Sequence, residues 1–287
     1  MVADGVQPFA SLLSNIVDNR GRTCPTAAFG TPLIATNCVR NDFLYPVYEK
    51  VRYVDKTTYN NWFRGHPEPG DLLFVTKGTP GRVCLVPDPV DFCIAQDMVA
   101  IRADAKKVYP RYLFALLRSK AVQEEIEHLH VGTLIPHFKK GDFDKLLLPI
   151  PDRQIQEFIG DTYFDFSAKM QGNRRMNETL EAIARALFRS WFVDFNPVRA
   201  KAEGRDPSLP KPLTDLFPDS FENSELGEIP RGWRASPVYD LATYINGAAY
   251  RAFEPNEERR GLPIIKIAEL KAGVTALEKR LILEKSS

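Results

Sequence analysis

The fold is decided by one uninterrupted stretch, DRQIQEFIGDTYFDFSAKMQGNRRMNETLEAIARALFRSWFVDFNP, which runs from Asp152 to Pro197. No proline occurs before its last residue, and apolar residues recur every three or four positions, which is the period of an α-helix. Asp152 is a candidate N-cap, and Asn196-Pro197 is a candidate stop. About forty residues with a rise of 1.5 Å each predict a helix roughly 60 Å long.

Alternate steps of four and three residues along this helix trace an apolar seam that polar residues interrupt near Lys169 and Asn173. Buried polar residues of this kind set the register of coiled coils. A lone helix of this length cannot bury its seam against a domain at one end, so we expect a partner helix or subunit to cover it. The residues expected to make that contact are Ile155, Ile159, Phe166, Asn173, Met176, Leu180, Ile183, Leu187, Trp191 and Phe192.

Residues 1–150 predict a compact domain that mixes strands and helices. One helix is expected after Asp55, a plausible N-cap, and another from Tyr112 towards His128. Short β-like runs bounded by glycine and proline are PLIATN from Pro32, KVRYV from Lys50, DLLFVT from Asp71 and RVCLV from Arg82.

Two further regions follow the helix. Residues 197–233 hold six prolines and predict a connector with little structure of its own. Residues 234–287 predict the start of a second domain, because GLPIIKIAEL from Gly261 parallels GTPLIATNCV from Gly30, and YDLATYI from Tyr239 parallels SLLSNIV from Ser11. With residues 151–196 as the helix, the expected fold class is α+β: a mixed α/β domain, one long coiled-coil-forming helix, and the opening of a second copy of the domain.

The composition excludes several classes of protein. Apolar residues make up 44% of the chain and charged residues 26%, as in an ordinary folded soluble protein. No apolar run is long enough for a transmembrane helix, and the N-terminus lacks the pattern of a signal peptide. We therefore expect a cytoplasmic protein with no membrane partner. A net charge of +1 does not by itself predict nucleic-acid binding.

Metal and disulfide chemistry is also not expected. The four cysteines, Cys24, Cys38, Cys84 and Cys93, lack the CxxC spacing of a zinc site. We expect them to be reduced and partly buried thiols. His128 and His130 lie close together, but no third ligand is suggested nearby, so we predict no metal site.

An ordered set of motifs spans most of the chain. In the first domain these are PGDLLFVTKGTPGR from Pro69, AQDMVAIR from Ala95, GTLIPHF from Gly132 and LPIPDRQIQ from Leu148. LEAIARALFRSWFVDFNPV from Leu180 and SELGEIPRGW from Ser224 are the most specific. With these motifs the chain resembles the specificity (S) subunit of Type I restriction-modification systems, the HsdS family.

The resemblance implies a DNA-binding subunit with two target recognition domains, each of which recognises one half of a split DNA target, joined by two long antiparallel helices. It also implies that methyltransferase (M) subunits dock on the helices and domains and that restriction/translocase (R) subunits join them. S-adenosylmethionine, ATP and Mg²⁺ are then expected on those partners, and no cofactor here. This chain lacks most of the second domain and the second helix, so it is expected to be either truncated or a half-size subunit that forms a homodimer through the helix.

Catalysis by the chain itself is not expected. FNPV from Phe195 lacks the second proline of a methyltransferase motif, and KGTPGR from Lys77 is not a phosphate-binding loop. A Mg²⁺-dependent nuclease of the PD-(D/E)xK kind is a weak alternative, resting on Asp88, Asp104 and Lys106. The pattern also fits a turn and an exposed charged connection. The other alternative is a scaffold whose helix is its whole function.

Three cationic loops are the candidates for DNA contact, because sequence readout requires side chains that donate to base edges or phosphates. The first follows the DLLFVT run, the second follows GTLIP, and the third lies near the N-terminus. The candidate residues are Lys77, Thr79 and Arg82; His137, Lys139 and Lys140; and Arg20 and Arg22.

Overall fold

The computed structural model describes residues 5–19, 23–94, 96–129, 136–245, 262–264 and 281–283. They form two compact units, residues 1–186 and residues 187–287, and the boundary between the units falls within the long helix. This arrangement of mixed strands and helices around one long helix is the fold class expected from the sequence. No helix in the described ranges is both long and apolar enough to cross a membrane.

The first unit contains short strands and four helices within its described residues. The strands are β1 (Gly5–Pro8), β2 (Leu13–Val17), β3 (Thr31–Ile34), β4 (Arg52–Val54), β5 (Leu72–Val75), β6 (Val83–Leu85), β7 (Cys93–Ile94), β8 (Met98–Ala103) and β9 (Leu147–Ile150). The helices are α1 (Lys56–Asn61), α2 (Pro110–Leu117), α3 (Lys120–Leu129) and α4 (Arg153–Phe192). Asp55 caps α1 as predicted, because its side chain accepts from the Thr58 amide at 2.7 Å.

A four-stranded antiparallel sheet in the order β2-β8-β5-β6 forms the centre of the first unit. Both faces of the sheet are covered, since alternate residues of β5 enter different apolar clusters. Leu72 and Phe74 belong to the larger cluster, with α2, α3 and β9, whereas Leu73 and Val75 belong to the smaller one. A three-stranded sheet, β4-β3-β7, and the pair β1–β9 complete the unit. The core therefore holds the ends of β5 and β8 in fixed positions.

Helix α4 packs on the first unit through a face that combines small and polar residues with the partly buried rings of Tyr163 and Phe164. Gln156, Gly160 and Ser167 are buried there. A Cβ atom on Gly160 would lie 2.6 Å from the Tyr112 amide nitrogen, so only glycine permits this approach of α4 to α2. Asp161 strengthens the contact, because it accepts from Arg111 at 2.7 Å. This face lies one residue beyond the apolar seam predicted from the sequence.

The end of α4 differs from the prediction. The helix stops at Phe192 rather than at Asn196-Pro197, and Phe195 adopts a left-handed conformation with φ 53°. Pro197 lies in the first turn of a new helix, α5 (Asn196–Ala202). Proline is compatible with that position because the first amides of a helix have no intrahelical partner. The proline predicted as a stop therefore starts a helix instead.

The region 197–233 is also more structured than a connector with little structure of its own. It contains most of α5, then α6 (Lys211–Thr214) and a hairpin of β10 (Phe221–Ser224) and β11 (Gly227–Pro230). Lys201 ties α5 to the end of α6 by donating to the Thr214 carbonyl at 3.2 Å. Four of its six prolines lie at helix starts or a strand end, where they do not interrupt backbone hydrogen bonds.

The two Gly-x-Pro stretches that were compared in sequence each contain a short strand with an antiparallel partner. In the first unit, β3 pairs antiparallel with β4, and Pro32 lies opposite Tyr53. In the second unit, β12 (Leu262–Ile264) pairs antiparallel with β13 (Leu281–Leu283), and Pro263 lies opposite Ile282. The start of a second, repeated domain stays a prediction.

Candidate nucleic-acid interface

The loop between β5 and β6 carries the first group of predicted DNA contacts. The Val75 amide donates to the Arg82 carbonyl at 2.9 Å, and the Gly81 amide donates to the Val75 carbonyl at 3.0 Å. Gly78 and Gly81 have φ values of 84° and 90°, which favour glycine. The loop is therefore a tight, hydrogen-bonded turn that holds Lys77, Thr79 and Arg82 at one end of the sheet.

The second predicted group lies directly against this loop. Lys77 and His137 form an isolated antiparallel bridge, in which Gly78 donates to the Pro136 carbonyl and Phe138 donates to the Thr76 carbonyl, both at 2.9 Å. Phe138 is fully buried, whereas Lys139 and Lys140 are exposed. The structure thus joins two loops that are 55 or more residues apart in sequence. We call Lys77, Arg82, His137, Lys139 and Lys140 the cationic surface.

The third predicted group, Arg20 and Arg22, lies outside the described residues. Its relation to the cationic surface stays a prediction.

Asp97, which sequence reasoning did not select, lies at the cationic surface. Its carbonyl accepts from the amides of Thr76 at 2.9 Å and Lys77 at 3.2 Å, and its Oδ1 lies 3.8 Å from Lys77 Nζ. Its φ is 74°, a conformation that aspartate tolerates better than most side chains do. An aspartate between two short apolar runs is a turn signal that could have drawn attention to it.

Two polar clefts flank Arg82. One, of about 630 Å³, is lined by residues that include Thr79, Gln123 and His128. The other, of about 560 Å³, includes Arg40 and Glu49. Arg82 and Asn41 line both clefts. Arg82 makes no side-chain ion pair with any residue among the described ranges.

Three side chains hold the loop and strand β6 from behind. Asn41 Oδ1 accepts from the Val83 amide at 2.8 Å, and Gln123 Nε2 donates to the Gly81 carbonyl at 2.8 Å. Arg118 Nε donates to the Val83 carbonyl at 3.0 Å, and burial lowers the pKa of its guanidinium. These bonds pair backbone amide and carbonyl groups along the outer edge of β6. Without them that edge would be open to pairing with another chain. Sequence reasoning missed all three, since they come from distant segments.

Two of the sequence motifs meet at the opposite end of the sheet. Asp71, from PGD, is buried and accepts from Arg102 of AQDMVAIR at 2.8 Å. The hydrogen bonds from Arg102 to Asp71 raise the pKa of this guanidinium, and Glu68 adds a contact at 2.8 Å. The aspartate of PGD therefore acts in the fold, because it joins the start of β5 to the end of β8.

The nuclease interpretation receives no support. Asp104 caps its own turn by accepting from the Lys106 amide at 3.1 Å, and it lies 3.7 Å from Lys107 Nζ. Within the described ranges, no three histidine, cysteine, aspartate or glutamate residues are placed to hold a metal ion. The four cysteines are free and buried, as predicted, and burial raises the pKa of the Cys93 thiol to about 12.

The predicted helix seam is exposed. Its large apolar members from Ile155 to Leu187 are between 40% and 66% exposed, and Asn173 is exposed as well. At the C-terminal end of the helix, aromatic residues of the second unit cover part of the apolar surface. Trp191 and Phe192 pack on Phe217, with ring centroids 5.9 and 6.2 Å apart, and Phe192 stacks on Trp233. Phe192 nevertheless keeps 43% of its surface exposed.

Comparison with known proteins agrees with the motifs. The chain is 30% identical over 250 residues to the Type I restriction enzyme HindI specificity subunit of Haemophilus influenzae, covering 70% of this chain and 53% of that protein. It is 25% identical over 211 residues to the MjaIX specificity subunit of Methanocaldococcus jannaschii, covering 71% and 43%. The chain thus spans about half the length of the curated relatives it matches.

A solved structure of a specificity subunit also matches part of the chain. The crystal structure of the HsdS subunit from Thermoanaerobacter tengcongensis matches with 18% identity and a TM-score of 0.43, covering 80% of this chain and 52% of that one. The family described as Type I restriction modification DNA specificity domain matches residues 29–182, which is more than half of the sequence. The chain therefore belongs to the family of Type I restriction-modification DNA specificity domains.

Proposed function

We propose that this chain is the DNA-recognition subunit of a Type I restriction-modification complex and performs no catalysis itself. Its first unit binds one half of a bipartite target. The observation that carries the proposal is the cationic surface, which is assembled from two distant loops and held on a rigid sheet. Side chains that must distinguish base pairs have to be held in position, because a loose contact does not discriminate.

The chemistry of this surface fits duplex DNA. Lys77 and Arg82 can donate to guanine edges or to phosphates, and Lys139 and Lys140 can neutralise phosphates. The net charge of +1 is small for a protein that binds DNA alone. We therefore propose that partner subunits contribute further phosphate contacts. In this proposal the chemistry is supplied by partner subunits: methyltransferase subunits with S-adenosylmethionine, and restriction subunits with ATP and Mg²⁺. The proposal also places the complex in the cytoplasm.

The long helix supplies the assembly function. Its seam is apolar and exposed, while an adjacent face packs on the first unit. A second long helix placed along the seam would cover it in the manner of a coiled coil. We propose that this helix comes either from further sequence of the same subunit or from a second copy of the chain. In a homodimer the two units would recognise inverted half-targets.

The proposal is tested with the chain assembled with its methyltransferase subunits. The binding of a duplex is measured over a range of salt concentrations for wild type and for Lys77→Ala combined with Arg82→Ala. We expect weaker binding and a shallower salt dependence, by about 0.9 in slope for each phosphate that the variant no longer neutralises. Lys106→Ala combined with Lys107→Ala is the control, since it removes the same charge at the other end of β8. If both double variants bind like wild type, this surface does not contact DNA.

A further inference from the structure

Asp97 is a carboxylate at the surface to which we assign DNA contact. Its position is fixed, since two amides from the end of β5 donate to its carbonyl. Its carboxylate and the Lys77 ammonium lie 3.8 Å apart and are 38% and 43% exposed. Both groups can therefore face a ligand.

A carboxylate in this position opposes the binding of phosphate. It offsets the charge of Lys77, and it repels any phosphate that approaches the ammonium. A base edge differs from a phosphate in this respect, because the amino groups of cytosine and adenine donate hydrogen bonds that a carboxylate accepts. The pair of Lys77 and Asp97 thus presents both a donor and an acceptor, which suits base edges better than the DNA backbone.

We infer that Asp97 is a specificity-determining residue that keeps Lys77 from binding the phosphates of non-target DNA. The inference rests on the proposed function of the cationic surface. On target DNA the carboxylate faces base-edge donors and is accommodated. On other sequences it faces phosphate or unmatched acceptors, and binding is weakened.

The test uses the chain assembled with its methyltransferase subunits and a duplex of about 30 base pairs, roughly three helical turns, that lacks the motif methylated by the wild-type complex. The variant is Asp97→Asn, because asparagine also tolerates the left-handed backbone and has nearly the same shape. We expect roughly fivefold tighter binding of this duplex at about 0.1 M salt and a salt slope steeper by about 0.9, as for one added phosphate contact. Affinity for a duplex with the motif should rise less, so the ratio of target to non-target affinity falls.

Asp104→Asn is the matched control. Asp104 lies at the other end of β8 and is 3.7 Å from Lys107, so this substitution removes the same charge from a similar ion pair. It should leave non-target binding within about twofold of wild type, because any residual effect is long-range and screened. If Asp97→Asn and Asp104→Asn increase the affinity for the non-target duplex equally, only net charge matters and the inference is overturned.

Lys77→Ala separates this inference from the proposal on which it rests. If Lys77→Ala weakens binding but Asp97→Asn does not strengthen non-target binding, Asp97 has no selective role and the surface still binds DNA. If Lys77→Ala has no effect on either duplex, both the inference and the assignment of this loop fail. In support of the inference, Asp97→Asn should have less than half of its effect when Lys77 is already alanine.

Discussion

The two units share one short piece of local structure but differ in how deeply it is buried. Each has a 3-10 turn, Phe9–Leu12 or Val238–Leu241, after a proline with nearly the same backbone angles. In the first unit Phe9 and Leu12 are fully buried, whereas Val238 and Leu241 are 72% and 71% exposed. The cover for Phe9 comes from residues far along the chain, since its amide donates to the Leu146 carbonyl at 2.8 Å and its ring lies 4.8 Å from Phe143. A proline followed by a 3-10 turn thus occurs in both units, while burial of the turn in the first unit depends on distant partners.

The largest expected effect follows directly from this difference. Phe9→Ala should lower the free energy of unfolding of the first unit by about 3–5 kcal/mol, because it leaves a cavity among buried aromatic rings. Val238→Ala, at the matching turn, should change stability by less than about 0.5 kcal/mol. Denaturation in urea measures both. A comparable loss in both variants would show that the two turns are equally covered.

A second pair of substitutions makes the same comparison within α4. Gly160→Ala should lower the free energy of unfolding by about 2 kcal/mol, since the added Cβ meets the backbone of α2. Gly172→Ala lies on the same helix with open space around it, and it should stabilise by about 0.5–1 kcal/mol through helix propensity. The midpoints of urea denaturation of the two variants should shift in opposite directions relative to wild type. Increased stability in both variants would mean that α4 does not approach α2 this closely.

The pH dependence should also differ between the units, because all four histidines lie in the first. Burial lowers the pKa of His66, whose ring stacks on Tyr59 at 3.9 Å. As pH falls below about 6.5, the unfolded chain binds a proton that the folded unit resists, so stability decreases. His66→Phe retains the stacking on Tyr59. The free energy of unfolding of this variant should depend less on pH between about pH 7 and pH 5 than that of wild type. An unchanged pH profile in the variant would exclude His66 as a cause.

Much of the fold was predictable because its signals are local. The proline-free helical period anticipated α4, and the β-like run DLLFVT from Asp71 anticipated strand β5. The packing face of α4 was missed, since the seam was traced one position earlier and so passed over Gln156, Gly160 and the partly buried Tyr163. Close backbone approach requires a small residue, and that need is invisible until the neighbouring helix is placed.

Part of the candidate site was also predictable from local signals. Lys77, Arg82 and His137 carry a local signal, namely cations in loops rich in glycine or proline. Their meeting at one surface depends on the bridge between Lys77 and His137, which joins segments 60 residues apart. Asp71 and Arg102 were visible as motif residues, but their salt bridge depends on the pairing of β5 with β8.

The most direct measurement is the methylation pattern of genomic DNA in cells that express the chain with its methyltransferase subunits. Wild type should mark one recurring motif. Lys77→Ala combined with Arg82→Ala should lose that motif or relax it at one or more base pairs, while Lys106→Ala combined with Lys107→Ala should retain it. An identical motif and extent of methylation in all three would contradict recognition of DNA by the cationic surface.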